Sequence, residues 1–360
     1  MKSAFMKVLF LGIILLCSVW GQTQKIDSIL RKELKNQFAN TEVAVALIRG
    51  DQIEYLGYRQ SEDELSHVDN QDRIFEIGSI TKVFTAMILA QMHLEGKVDV
   101  NQAVRKYTKL KIKGKPEFTF RQLANHSSGL PRLPGNALDY MEKSPENPYQ
   151  YYDYKALKEY LAKELELQFE PGSGNLYSNL GSGLLAVVLG EVDGKCPEDL
   201  YGDRIFRPLE MNQSSTDRGT LKEEQLVGGL NAEGGSQSYW DFSVLGGAGC
   251  ILSTVTDLSR FALYCLNSDQ AVNQLMRSEY YQINDGMKVG LGWHLIGLRD
   301  RSELLWHNGA TGGFSSSMLL DPDRKLGVIL LSNISPMSPN GQLMDRLGMR
   351  VMELLKREEK

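Results

Sequence analysis

Stretches with a strand-like pattern lie only near the two ends of this chain, and that distribution limits the folds it can reach. Residues 43–48 read as a short buried strand, Arg49-Gly50-Asp51-Gln52 as a turn and residues 53–58 as the returning strand of a hairpin. Residues 61–72 are polar and acidic and read as an exposed loop. Residues 289–298, 304–306, 314–320 and 326–332 read as further strands, with Asp321-Pro322-Asp323-Arg324 turning the chain between the last two. From about residue 96 to 245 the pattern is helical, broken by long loops. Near the start, Ile26, Ile29, Leu30, Leu34 and Phe38 share one helical face over residues 24–38; near the end, Leu343, Leu347, Val351 and Leu354 do the same. The expectation is a mixed α/β (α+β) fold. One antiparallel sheet is completed from both ends of the chain, flanked by N- and C-terminal helices, with a mostly helical part inserted. The α/β part takes about residues 22–95 and 246–360, the helical part about 96–245. A site at their junction is the default expectation.

Residues 1–21 read as a signal peptide. Lys2 and Lys7 precede an apolar run over 8–16, and Val19-Trp20-Gly21 offers the cleavage site. The run is too short for a comfortable membrane span. The chain is therefore expected to be exported, periplasmic or extracellular, to begin at Gln22 and to keep no stable span; an uncleaved anchor is the alternative. With 42% apolar and 24% charged residues the remainder suits a globular enzyme, and a net charge of −5 argues against a nucleic-acid partner. Cys17 leaves with the signal. Cys196, Cys250 and Cys265 are odd in number, so at least one is unpaired within the monomer, and they read as small buried residues.

The chemistry-bearing stretch is Phe75-Glu76-Ile77-Gly78-Ser79-Ile80-Thr81-Lys82, which runs into a helix marked by Val83, Phe84, Met87, Ile88 and Met92. Ser79 sits at or near the helix start, and Lys82, three residues on, shares its face. A hydroxyl beside an amine there is a candidate nucleophile and base: the positive helix end and burial both lower a lysine pKa, and the first-turn amide of Ser79 can bind an oxyanion. For an isolated S-x-x-K the bland reading, a helix cap and a solvated lysine, is the better one. Two later stretches change the balance: Leu176-Tyr177-Ser178-Asn179, and Trp306-His307-Asn308-Gly309-Ala310. A long loop over 131–153 leads to Tyr149, Tyr151, Tyr152 and Tyr154, which either line a binding surface or pack. His67, His93, His126, His294 and His307 show no metal-ligand spacing, and there is no H-E-x-x-H, no G-x-S-x-G and no phosphate loop, so no metal or cofactor is expected.

Ser79-x-x-Lys82, Tyr177-x-Asn179 and His307-x-Gly309, in that order, resemble the motifs of the serine β-lactamase-related hydrolases. That family includes class C β-lactamases, D,D-carboxypeptidases, D-aminopeptidases and related esterases. His126-Ser127-Ser128-Gly129-Leu130, Gly247-Ala248-Gly249 and Gly290-Leu291-Gly292-Trp293 look similar to it as well. The resemblance implies that Ser79 is the acylated nucleophile and that Lys82 and Tyr177 shuttle its proton. It implies that Asn179 holds the substrate amide, that His307 and Gly309 line an edge strand, and that the amides of Ser79 and Ala310 form the oxyanion hole. Lysine and tyrosine titrate near ~10.4 and ~10 when unperturbed, so each needs the other's charge or burial to act at neutral pH, and their protons are coupled. Glycine at 309 is expected to let substrate backbone approach the strand. The family usually has lysine where this chain has His307. An imidazole of ordinary pKa, near ~6.5, is a weaker carboxylate anchor at neutral pH and gains charge toward pH 6, which disfavours efficient β-lactam hydrolysis and favours ester or amide substrates. The function expected is an exported serine hydrolase acting through an acyl-enzyme on a small-molecule or peptide substrate, cell-wall fragments included. The alternatives are a true β-lactamase or D,D-carboxypeptidase, and a catalytically silent peptidoglycan-binding protein.

Overall fold

The computed structural model describes residues 21–357; the expected signal peptide lies outside the described residues except for Gly21. Nine strands form one antiparallel sheet: β1 (Glu42–Arg49), β2 (Gln52–Gln60), β3 (Leu65–His67), β4 (Tyr281–Asn284), β5 (Met287–Val289), β6 (His294–Gly297), β7 (Glu303–Ala310), β8 (Ser315–Asp321) and β9 (Leu326–Ser332). Their spatial order is β3-β2-β1-β9-β8-β7-β6-β5-β4, so the hairpin from the start of the chain is joined to the strands from its end by β1 against β9, with Val45 opposite Leu330.

The period-2 alternation of these strands sorts their side chains onto two cores. Val43, Val45 and Leu47 of β1 and Val328 and Leu330 of β9 face one core, together with Ile26, Leu30 and Leu34 of α1 (residues 21–34). Ala44, Ala46 and Ile48, with Ile329 and Leu331, face the larger core of α2 (Thr81–Leu94), α3 (Asn179–Asp193) and α4 (Val255–Leu266). The last long helix, α5 (Leu343–Arg357), lays Leu343, Leu347 and Val351 on the α1 side. Gln22 already belongs to this body: its Nε2 donates to Leu354 O at 2.8 Å, and its Oε1 accepts from Arg49.

Three readings are corrected. The helix over 24–38 ends at residue 34, and Phe38 lies beyond it, 43% exposed. The acidic loop over 61–72 contains the edge strand β3. The single strand over 289–298 is two, β5 and β6, separated by the Gly290–Trp293 turn. Strand β4, with mostly exposed side chains, has no apolar alternation to announce it.

Candidate active site

Ser79 lies in a single 3-10 turn, Gly78–Ile80, that continues into α2. No side-chain cap bond is made at either helix start, so Ser79 is not a cap. The turn is pressed onto β7. Gly78 has φ +50°, and a Cβ on it would stand 2.6 Å from Ala310 N; a Cβ on Gly309 would stand 1.9 Å from Ile77 O. Ser316 Oγ donates to the same Ile77 carbonyl at 2.9 Å. Two glycines therefore let the Ser79 turn and the end of β7 touch backbone to backbone. This corrects the expected role of Gly309: the close approach it permits is to Ile77 within the fold. Ser79 and Ala310 then line the same cleft.

Helix α2 is apolar on all sides and buried, so Lys82 enters the interior with it. Lys82 is 3% exposed, with Nζ 3.0 Å from Ser79 Oγ and donating to Ala248 O at 2.7 Å. Burial first, and the charge of Arg132 second, hold its ammonium well below the usual lysine range. Tyr177 comes from the loop just before α3. Ser178 is the N-cap of α3, its Oγ accepting from Gly181 N at 2.8 Å. That loop is braced by His126, whose Nδ1 accepts from Ser178 N at 3.3 Å and whose ring lies 4.5 Å from that of Tyr177. Tyr177 lines the same cleft as Ser79, with Lys82 Nζ 4.7 Å from its ring centroid. Burial pushes the phenol pKa up; the nearby Ser79 hydroxyl and Arg132 act against it without cancelling it.

Asn179 opens α3. Its backbone N–H donates to Arg132 O at 2.9 Å, and its Nδ2 stands 3.3 Å from Tyr149 OH. Its Oδ1 has no partner among the described residues.

His307 is placed differently from a cleft-wall residue. It is 0% exposed and lies beneath the cleft, 6.5 Å from the Tyr177 ring and 5.2 Å from that of His294, while Trp306, Asn308 and Ala310 line the cleft. Its Nδ1 is 2.6 Å from Asn308 O, which assigns the proton to Nδ1; Nε2 has no partner among the described residues. Burial, then the neighbouring His294 and Lys82, hold its pKa well below the ordinary imidazole value. The expected gain of charge toward pH 6 is therefore corrected: a fully desolvated imidazole packed beside the bases His294 and Lys82 resists protonation there.

The cleft has a volume of about 820 Å³. Tyr149 and Phe242 stack in it at 4.9 Å, and Trp240 meets Tyr149 edge-on at 5.4 Å. Of the loop tyrosines, Tyr149 lines the cleft while Tyr152 is buried with its hydroxyl on Asn136. Sequence reasoning missed Arg132, Trp240, Glu76 and the carbonyl of Ala248. Only Ala248 carried a signal, the Gly247-Ala248-Gly249 stretch. Cys196, Cys250 and Cys265 are all free thiols. Among the described residues no group of three or more His, Cys, Asp or Glu could hold a metal ion.

The family model described as Beta-lactamase matches residues 30–352. A D-alanyl-D-alanine-carboxypeptidase/endopeptidase, AmpH, of Escherichia coli is 27% identical over 339 residues, covering 87% of this chain and 85% of that protein. Penicillin-binding protein 4* of Bacillus subtilis is 27% identical over 329 residues, covering 83% of this chain and 69% of that protein. The octameric penicillin-binding protein homologue from Pyrococcus abyssi superposes with a TM-score of 0.75 at 24% identity, covering 92% of this chain and 77% of that one, a likeness of fold. The family match spans nearly all of the described residues, both the sheet and the helical part between its strands, and the chain belongs to the beta-lactamase family.

Proposed function

We propose that this chain is an exported serine hydrolase that opens an amide or ester carbonyl through a Ser79 acyl-enzyme. The observation that carries the reading is Ser79 Oγ in the cleft, 3.0 Å from the buried Lys82 Nζ, with Tyr177 lining the same cleft. The Lys82 pKa is pushed down and the Tyr177 pKa up. Opposed shifts of this kind separate base from acid. Lys82 is then the neutral amine that takes the Ser79 proton, and Tyr177 the protonated phenol that passes a proton to the leaving group. Ala248 O takes an N–H of Lys82, which leaves the amine lone pair available to the hydroxyl. Ser79 Oγ adds to the carbonyl carbon, the carbonyl electron pair moves onto oxygen, and the amides of Ser79 and Ala310 bind that oxyanion. The leaving group departs with its proton, and water attacks the resulting ester by the same route. Asn179 beside the cleft takes the substrate amide. The protons of Lys82 and Tyr177 titrate as a pair.

The printed name of the Escherichia coli relative supports including D-alanyl peptides among the substrates, and with them the second reading, a D,D-carboxypeptidase or β-lactamase. Export is supported by the Lys2 and Lys7 flank and the apolar run over 8–16. Among the described residues no helix is long and apolar enough to cross a membrane.

The test is a turnover screen of small esters, D-amino-acid amides and β-lactams on the wild type and Ser79→Ala. Ester or amide turnover should fall by about 10³-fold or more in the variant. Equal rates in both proteins, or no turnover of any substrate, would overturn the reading. β-lactam turnover above that of the esters would select the second one.

A further inference from the structure

Three side chains of α2 hold the stretch 247–251 against the helix. Thr81 Oγ1 accepts from Ile251 N at 3.2 Å, Lys82 Nζ donates to Ala248 O at 2.7 Å, and Thr85 Oγ1 donates to Gly247 O at 2.8 Å. The two carbonyls end the 3-10 helix Ser243–Ala248, and the last carbonyls of a helix have no partner within it. Gly247 is also pressed onto α3: a Cβ on it would stand 2.4 Å from Ser182 O and 2.5 Å from Ala186 Cβ. The Gly247–Ala248 turn is therefore clamped between α2 and α3.

Thr85 and Tyr201 are both buried, and the proposed chemistry uses neither. Thr85 Oγ1 is 2.6 Å from Tyr201 OH and 3.2 Å from Thr81 O, the back-bond common to threonines in helices. Were the Thr85 proton given to Tyr201, Gly247 O would lose this donor in the interior. A carbonyl only accepts, so the Thr85 proton goes to a carbonyl, Gly247 O being the nearer, and Thr85 Oγ1 accepts from Tyr201 OH. Tyr201 closes the short helix Pro197–Tyr201, and burial keeps its phenol protonated, so it stays a donor. The hydroxyls thus point one way, from Tyr201 through Thr85 to the peptide next to the one that holds Lys82.

That peptide matters because a neutral lysine amine carries N–H donors as well as a lone pair, and only the lone pair can take the Ser79 proton. The amine turns about its own Cε–Nζ bond among staggered positions, some of which aim an N–H at Ser79. The Ala248 carbonyl selects among them by keeping one N–H.

We propose that Thr85, backed by Tyr201, is a positioning residue for Lys82: it holds the Gly247–Ala248 turn so that the Ala248 carbonyl keeps an N–H of Lys82 and turns the lone pair toward Ser79. The proposal rests on the hydrolase reading above.

Its test compares the wild type, Thr85→Val, Thr85→Ser, Tyr201→Phe and the double variant Thr85→Val/Tyr201→Phe. For each, kcat and KM with p-nitrophenyl acetate, the rate of labelling by a fluorophosphonate, and Tm are measured. Thr85→Val keeps the side-chain shape and removes the donor. Its kcat and labelling rate should fall about tenfold or more, with KM within about twofold of wild type. Thr85→Ser should restore most of the rate, and Tyr201→Phe, which removes only the backing bond, should lie between. The double variant separates positioning from packing. Thr85→Val alone strands the Tyr201 hydroxyl in the interior; removing that hydroxyl too should recover part of Tm while kcat stays low. Should Thr85→Val not fold, the double variant read against Tyr201→Phe carries the test. A wild-type kcat in Thr85→Val, or a kcat that returns together with Tm in the double variant, would overturn the proposal and leave the hydrolase reading standing. A wild type with neither turnover nor labelling would overturn the hydrolase reading itself.

Discussion

Along one side of the Ser79 cleft, the end of β7 is held at nearly every polar side chain. Asp345 of α5 accepts from Trp306 Nε1, Asn308 Nδ2 and Ser317 Oγ at 3.3, 2.6 and 2.9 Å. Thr311 Oγ1 is 2.6 Å from Glu76 Oε2, and Ser316 fixes Ile77. Along the other side, Tyr149, Trp240 and Phe242 meet the cleft as rings and the Arg132 guanidinium lies over Tyr177, and among the described residues neither Asn179 Oδ1 has a hydrogen-bond partner nor Arg132 an ion pair. The contrast separates two tasks. The strand side fixes where Ser79, the proposed nucleophile, and the amides proposed to bind the oxyanion stand, a geometry that would lose about 10²-fold in rate for ~1 Å of displacement. The loop side leaves polar atoms for a substrate to satisfy, which is where selectivity is made.

The largest break in this comparison comes at Gly309. In Gly309→Ala the new Cβ meets the Ile77 carbonyl, and backbone on one side or the other must move. Overpacking of this kind costs about 1–3 kcal/mol or more. Because Ile77 carries the Ser79 turn, esterase activity should drop by on the order of 10²-fold beyond any loss of folded protein. Chemical denaturation read beside kcat/KM separates the two effects. Wild-type activity in a stable Gly309→Ala protein would mean that the strand side does not set the nucleophile.

A smaller and sharper effect is expected at Glu76, which ties the two sides together: Oε1 accepts from Trp240 N at 2.7 Å while Oε2 meets Thr311. Burial raises its carboxyl from 4.5 to about 8, against the hydrogen bonds of Thr311 and Trp240, and the side chain is 4% exposed. The folded chain then keeps a proton that the unfolded chain releases. The associated stability is complete below about pH 4.5, is lost as pH rises toward about 8, and is level above that. The loss amounts to a few kcal/mol, at about 1.4 kcal/mol per pK unit. Glu76→Gln keeps an acceptor for Trp240 N and removes the titrating group, so the slope of Tm against pH between 5 and 8 should flatten. A variant with the wild-type slope would show that the charge at Glu76 does not couple the two sides.

The strand side was largely legible in the sequence and the loop side was not, for physical reasons. The alternation of Val43 to Ile48 and of Leu326 to Leu331 reports local geometry, and S-x-x-K reports one helical turn; both are short-range facts. The part played by Asp345 depends on α5 crossing behind β7, a contact between residues 37 positions apart for Asn308, and nothing near either residue announces it. Arg132 follows Leu130-Pro131 as an ordinary loop cation, and only the fold of that loop against α3 brings it over Tyr177. His307 was legible as a motif position but not as a buried one. Alternation along β7 turns Leu305 toward the larger core, with His307 and Gly309 at the same parity, and Trp306 and Asn308 toward α5, and which parity faces which way is fixed by the pairing with β8. The break between β5 and β6 was hidden by apolar residues, Leu291 and Trp293, that continue the strand-like composition through a turn.

Ser79 is the residue proposed to become acylated. The direct measurement is the intact mass of the purified protein after reaction with a fluorophosphonate, for the wild type and Ser79→Ala side by side, followed by peptide mapping of the adduct. One phosphonyl group on the wild type, mapped to the peptide that carries Ser79, and none on the variant is the predicted result. Equal labelling of the two proteins, or an adduct on any other residue, would contradict it.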